Sequence, residues 1–79
     1  MTVPKNITVR DLIKALQQDG FIFERARGSH YIYRHPDGRR VTLPFHGKGH
    51  TLPQGTLKNI IEKEARWSDD DLRSLGLLK

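Results

Sequence analysis

Residues 28–44 read GSHYIYRHPDGRRVTLP, and the two turns in this stretch decide the fold. Gly28-Ser29 is a tight turn of residues that bend a chain cheaply. His35-Pro36-Asp37-Gly38 is a stronger one: the proline presets its φ, the aspartate accepts a local hydrogen bond, and the glycine supplies a positive φ. Between them, His30 to Arg34 (HYIYR) is a strand rich in aromatic residues. After them, Arg39 to Phe45 is a strand with Val41, Leu43 and Phe45 on one face. Pro44 cannot donate to a ladder, so that strand lies at an edge or ends there. Before the first turn, Phe21 to Arg27 is also a strand, with Phe21, Phe23 and Arg25 alternating against Ile22, Glu24 and Ala26. Three strands joined by short turns predict an antiparallel sheet.

Helices flank the strands. Thr8 caps a helix with Asp11 in capping-box spacing, and Val9, Leu12, Ile13 and Leu16 form one apolar stripe. Asp19-Gly20 ends it, so the helix spans 9–19. On the far side, His46 to Pro53 (HGKGHTLP) is a loop. Pro53 or Gln54 opens a second helix whose stripe is Leu57, Ile60, Ile61 and Ala65. Ser68 with Asp71 caps a short third helix, Asp69 to Leu75, stopped by Gly76. The expected architecture is α+β: an α-β-β-β-α chain with a three-stranded antiparallel sheet, helices on one face, an open second face and a short extra C-terminal helix.

The chain has 79 residues, enough for one domain, 1–79, with a thin core. There is no cysteine, which excludes disulfides, iron–sulfur clusters and cysteine-ligated zinc. No apolar run approaches the roughly 20 residues of a membrane span, and MTVPKNITVR is no signal peptide. The expectation is a soluble, cytoplasmic domain. The formal net charge is +5, and residues 25–58 carry seven bases to one acid, a net of +6, with all four histidines. Such a patch attracts polyanions, nucleic acid first among them; the plain alternative is a solvated β-surface that happens to be basic.

His30 opens a strand among Arg27, Arg34 and Arg40, and period-two geometry sets it on one face with Ile32 and Arg34, opposite Tyr31 and Tyr33. Imidazole exchanges a proton near neutral pH. RNA carries its own nucleophile, the 2′-hydroxyl, so a histidine and arginines suffice in principle to cut it, with no metal or cofactor required. The alternative is a histidine that caps a turn or packs on a tyrosine. His46 and His50 have metal-ligand spacing but sit in a glycine-rich loop with no third ligand nearby. That loop is better suited to receive a phosphate, or is a plain connection; its spacing is not that of a nucleotide-binding P-loop. Ser29 and His30 point to opposite faces and form no nucleophile pair. Asp69-Asp70-Asp71 suits a helix start, Trp67 suits packing, and Tyr31 and Tyr33 suit either base stacking or the core.

The run Gly28-Ser29-His30-Tyr31-Ile32-Tyr33-Arg34-His35-Pro36, then Arg40 to Pro44, then Pro53-Gln54-Gly55-Thr56-Leu57, resembles the HicA-type toxins of bacterial toxin–antitoxin systems, as does Leu12-Ile13 through Asp19-Gly20-Phe21. The resemblance covers residues 8–67. It implies a double-stranded-RNA-binding-domain-like fold and a metal-independent endoribonuclease (an mRNA interferase). It also implies a cognate HicB-type antitoxin that covers the active site. The family's catalytic histidine follows Gly-Ser, which is His30 here. Many members carry a second histidine at the next position, where this chain has Tyr31. On this reading Arg27, Ser29, Arg34, Arg40 and Lys48 bind RNA. Two other readings stay open: an RNA-binding module of the same fold without catalysis, and a purely protein-binding domain. Whether His30 or another residue completes the reaction as general acid is also open.

Overall fold

The computed structural model describes residues 3–47 and 49–78. Helix α1 spans Val9–Asp19. Its capping box is complete: the Asp11 N–H donates to Thr8 Oγ1 at 3.2 Å and the Thr8 N–H to Asp11 Oδ2 at 3.1 Å. Gly20 ends the helix at φ 105°, a left-handed conformation that a Cβ would strain. A Cβ there would also stand 3.1 Å from His35 Nε2.

Strands β1 (Ile22–Arg27), β2 (His30–Arg34) and β3 (Arg40–Pro44) form an antiparallel sheet in the order β1-β2-β3. The alternation expected in β1 does not hold. Phe23 pairs with Tyr33, but the register then slips and Arg25 pairs with Ile32, Ala26 with Tyr31 and Arg27 with His30. Glu24 is the extra residue of a β-bulge. Phe23 therefore faces the helices while Arg25 and Arg27 turn to the opposite face. A period-two reading had put Arg25 with Phe23.

Helix α2 (Gln54–Asn59) continues into a π-helical segment, Ile60–Glu64, closed by the Ala65 N–H donating to Ile60 O at 2.7 Å. Six α-helical residues are too few to hold themselves. The packing holds them: Leu57, Ile60 and Ile61 are fully buried, at about 1.5–3 kcal/mol each. The π segment runs along β3, where Glu64 Oε1 accepts the Thr42 N–H at 2.7 Å. Helix α3 (Asp69–Ser74) carries the expected capping box between Ser68 and Asp71. One core joins Val9, Leu12, Ala15 and Leu16 of α1 to Tyr33, Val41 and Leu43 of the sheet and to Leu57, Ile60, Ile61, Trp67 and Leu72. The sheet's second face is left open, and no helix among the described residues is long and apolar enough to cross a membrane.

A polar network ties the ends of these elements together. Arg39, with only 15% of its side chain exposed, bonds Asp19 Oδ2 at 3.0 Å, Asp37 Oδ2 at 2.7 Å and the Ala65 carbonyl at 2.6 Å, with its guanidinium 5.0 Å from the Phe21 ring centroid. Trp67 Nε1 donates to the same Asp19 Oδ2 at 2.9 Å, so this residue is packing, as expected. His35 bridges the same region: Nε2 donates to the Asp19 carbonyl at 2.8 Å, and Nδ1 accepts the Asp37 N–H at 3.1 Å.

Candidate active site and nucleic-acid interface

His30 is the first residue of β2, exposed, and paired across the sheet with Arg27 on one side and Pro44 on the other. Directly opposite residues of a sheet point the same way, so all three side chains rise from the open face. Arg27 and His30, with Ile32, Arg40 and Thr42, line a shallow cavity of about 370 Å³. Ile32 is only 4% exposed although it lies on this face; in register it is flanked by Arg25 and Thr42. The cavity is therefore a small apolar floor inside a ring of cations with one imidazole at its rim.

The electrostatics of that ring follow from what its arginines do not touch. Among the described residues Arg25, Arg27 and Arg40 form no ion pair, so their charge is available to an incoming phosphate. The His30 ring likewise has no hydrogen-bond partner among the described residues. The plain alternatives for His30, capping a turn or packing on a tyrosine, are thus not what the structure shows. Tyr33 is buried, Tyr31 stacks on Phe45 at 4.2 Å between ring centroids, and both lie on the helix side. Burial, then the neighbouring Tyr31, pushes the Tyr33 hydroxyl above its ordinary pKa.

The other expected binding residues are placed differently. Ser29 is exposed in the turn, and its carbonyl accepts the Phe45 N–H at 2.6 Å, one rung beyond the strand. Arg34 stands at the far end of β2, 3.4 Å from Glu24, and lines a separate cleft with Ile22, Phe23 and His35. That pair is exposed and weak, so Arg34 stays on the basic face without joining the His30 cavity. Lys48 lies outside the described residues. Arg25 was missed as a member of the face because the bulge that turns it there was missed. A parity argument finds it: Arg27 and His30 flank a two-residue turn and must share a face, while Phe23, four residues before Arg27, lies against Tyr31 and Tyr33 on the other face. One extra residue must lie between them. His46 and His50 stand 6.1 Å apart ring to ring, and no cluster of three His, Cys, Asp or Glu forms among the described residues. A slightly larger groove of about 410 Å³ between α1 and α3 holds Asp11, Lys14 and Arg73 and contains no histidine.

A three-stranded antiparallel sheet with helices on one face, and a cationic open face carrying an exposed histidine, is the layout of a double-stranded-RNA-binding-domain-like α+β domain. The family model described as the HicA toxin of bacterial toxin-antitoxin matches residues 9–67 of the 79, from the first residue of α1 to Trp67. The chain belongs to that family: it is a toxin of a toxin–antitoxin pair, and an antitoxin is its implied partner. No curated protein matches the chain.

Proposed function

We propose that this toxin is a metal-independent endoribonuclease that cuts mRNA, with His30 as its acid/base residue. The observation that carries this reading is the exposed, unpartnered His30 at the rim of a cavity flanked by Arg27 and Arg40. Each RNA phosphodiester has a 2′-hydroxyl beside it. Imidazole at His30 removes that proton, the 2′-oxygen attacks phosphorus as the P–O5′ bond breaks and the 5′-oxygen departs with a proton, and the arginines offset the charge that builds on the non-bridging oxygens. Arg25 adds to the track along β1. A cognate HicB-type antitoxin silences the enzyme by covering the same cations, which suits an acidic inhibitor surface.

The test is labelled single-stranded RNA incubated in excess EDTA with wild type and with His30→Ala. Wild type is expected to cut, and the variant to cut about 100-fold more slowly or not at all. Full activity in His30→Ala ends the proposal. One observation favours a second reading: among the described residues no carboxylate or carbonyl orients the His30 ring, as one commonly does for a catalytic histidine. A non-catalytic RNA-binding module would leave RNA intact with both proteins, and its affinity would still fall steeply with salt as bound phosphates release counterions.

A further inference from the structure

Cleavage by a 2′-hydroxyl needs two proton transfers on opposite flanks of one phosphorus. A proton leaves O2′ as it attacks, and a proton must reach O5′ as it departs in line. One imidazole cannot stand on both flanks at once. Arginine does not release its proton near neutral pH, so Arg25, Arg27 and Arg40 cannot serve as the second group. We propose that His46 is the general acid that protonates the departing 5′-oxygen; this rests on the ribonuclease reading above.

The β2–β3 ladder brings the chain close to His30 just before His46. Pro44 pairs with His30 and shares its face. The Phe45 N–H then bonds the Ser29 carbonyl at 2.6 Å, so the chain is still laddered to the Gly28-Ser29 turn one residue before His46. Cross-strand Cα atoms lie about 5 Å apart and two further residues reach at most about 7 Å, which keeps the His46 Cα within roughly 12 Å of the His30 Cα. Two imidazoles on Cα atoms that close can flank a single phosphodiester. Pro44, the cross-strand partner of His30, also lines a second cavity of about 280 Å³ together with Val9, His46, His50, Leu52 and Thr56. His46 is exposed and so within reach of a substrate.

The His50 backbone holds the loop that carries His46. Its carbonyl accepts the Val9 N–H at 2.9 Å and its N–H donates to the Gly47 carbonyl at 3.2 Å, which folds the loop back onto the start of α1. Its ring meets that of His46 edge-on at 6.1 Å. Gly47, at φ 115°, makes the return possible. In the reaction, neutral His30 takes the O2′ proton as the O2′–P bond forms. The P–O5′ bond breaks, and the His46 imidazolium gives its proton to O5′. The products are a 2′,3′-cyclic phosphate and a 5′-hydroxyl.

The decisive experiment compares two substrates. One is an ordinary oligoribonucleotide; the other carries sulfur in place of the bridging 5′-oxygen at the bond wild type cuts, and a thiolate departs without needing a proton. His46→Ala is expected to be about 100-fold slower than wild type on ordinary RNA and within a few-fold of it on the sulfur substrate, with His46→Gln behaving the same. His30→Ala is expected to stay slow on both. Wild-type rates in His46→Ala on ordinary RNA overturn the assignment, as does a loss the sulfur substrate fails to restore. Wild type cutting neither substrate overturns the ribonuclease reading and the His46 role together, an outcome distinct from loss of the His46 role alone.

Discussion

His30 and His35 stand at opposite ends of the same short hairpin, and their surroundings give them opposite roles. His30 is exposed and has no hydrogen-bond partner among the described residues, whereas His35 is held at both nitrogens, with the Phe21 ring edge-on at 5.1 Å. The sequence presents both as histidines in a basic stretch, and only the turn residues beside them hint at the difference. Gly-Ser leaves His30 at a strand start, and Pro-Asp-Gly turns the backbone back onto His35. Asp37 is the residue whose titration reports on this turn. The Arg39 N–H at 3.0 Å holds its carboxyl below the ordinary value of 3.8; desolvation opposes it, and the Arg39 guanidinium and His35 add to the lowering. A depressed carboxylate contributes stability that is complete above its ordinary pKa and is lost as pH falls through the lower folded value. Wild type is therefore expected to melt above Asp37→Asn at pH 6, with the gap closing below about pH 3.8. Thermal melts of both proteins from about pH 2 to 7 check this; because Asp37 is exposed, the gap is modest.

Among the elements, β1 is the one whose pattern misleads. Its apolar and polar residues look regular, yet Glu24 is set out of register and the strand changes face behind it. Deleting Glu24 would leave Ile22, Arg25 and Arg27 on the open face and Phe23 and Ala26 on the helix side, because the bulge absorbs one odd residue. The deletion is thus expected to fold and to keep its RNA affinity. It also removes the kink that blunts an edge strand where Ile22 is 65% and Phe23 47% exposed. Self-association at high concentration should rise, as sedimentation would show; a large loss of RNA affinity would contradict the face assignment. The helices were more legible. Capping boxes mark the starts of α1 and α3, and Leu57, Ile60, Ile61 and Ala65 mark the buried side of α2. The π turn was not legible, because that stripe fits an α and a π register almost equally well. Only the bond from the Ala65 N–H to Ile60 O, and Arg66 in a left-handed conformation at φ 55°, distinguish them.

At the scale of the molecule, the basic segment divides into two functions that the charge count merges. Arg25, Arg27 and Arg40 face outward, while Arg39 turns inward and joins α1, the β2–β3 turn and the end of the π segment through Asp19, Asp37 and Ala65. Arg39→Met would keep much of the packing over Phe21 but leave Asp19 with the Trp67 N–H as its remaining side-chain partner among the described residues. The expected cost is about 2–3 kcal/mol, or a fall in Tm on the order of 10 °C, with cleavage at low temperature unchanged. A melt and a cleavage assay on one preparation separate the two effects. The far edge of the sheet has a consequence of its own. Because Thr42 turns its N–H away from β2, the outward positions of β3 are Arg40, Thr42 and Pro44. The Thr42 donor is already taken by Glu64, and proline at 44 has none. A new strand arriving there would find a single donor at the start of the row. Stacking of sheets edge on edge is a chain reaction that requires two reactive ends, and this molecule has one. Whatever joins it along β1, the growth terminates at the first addition, so concentration favours pairs and gives no route to a fibre.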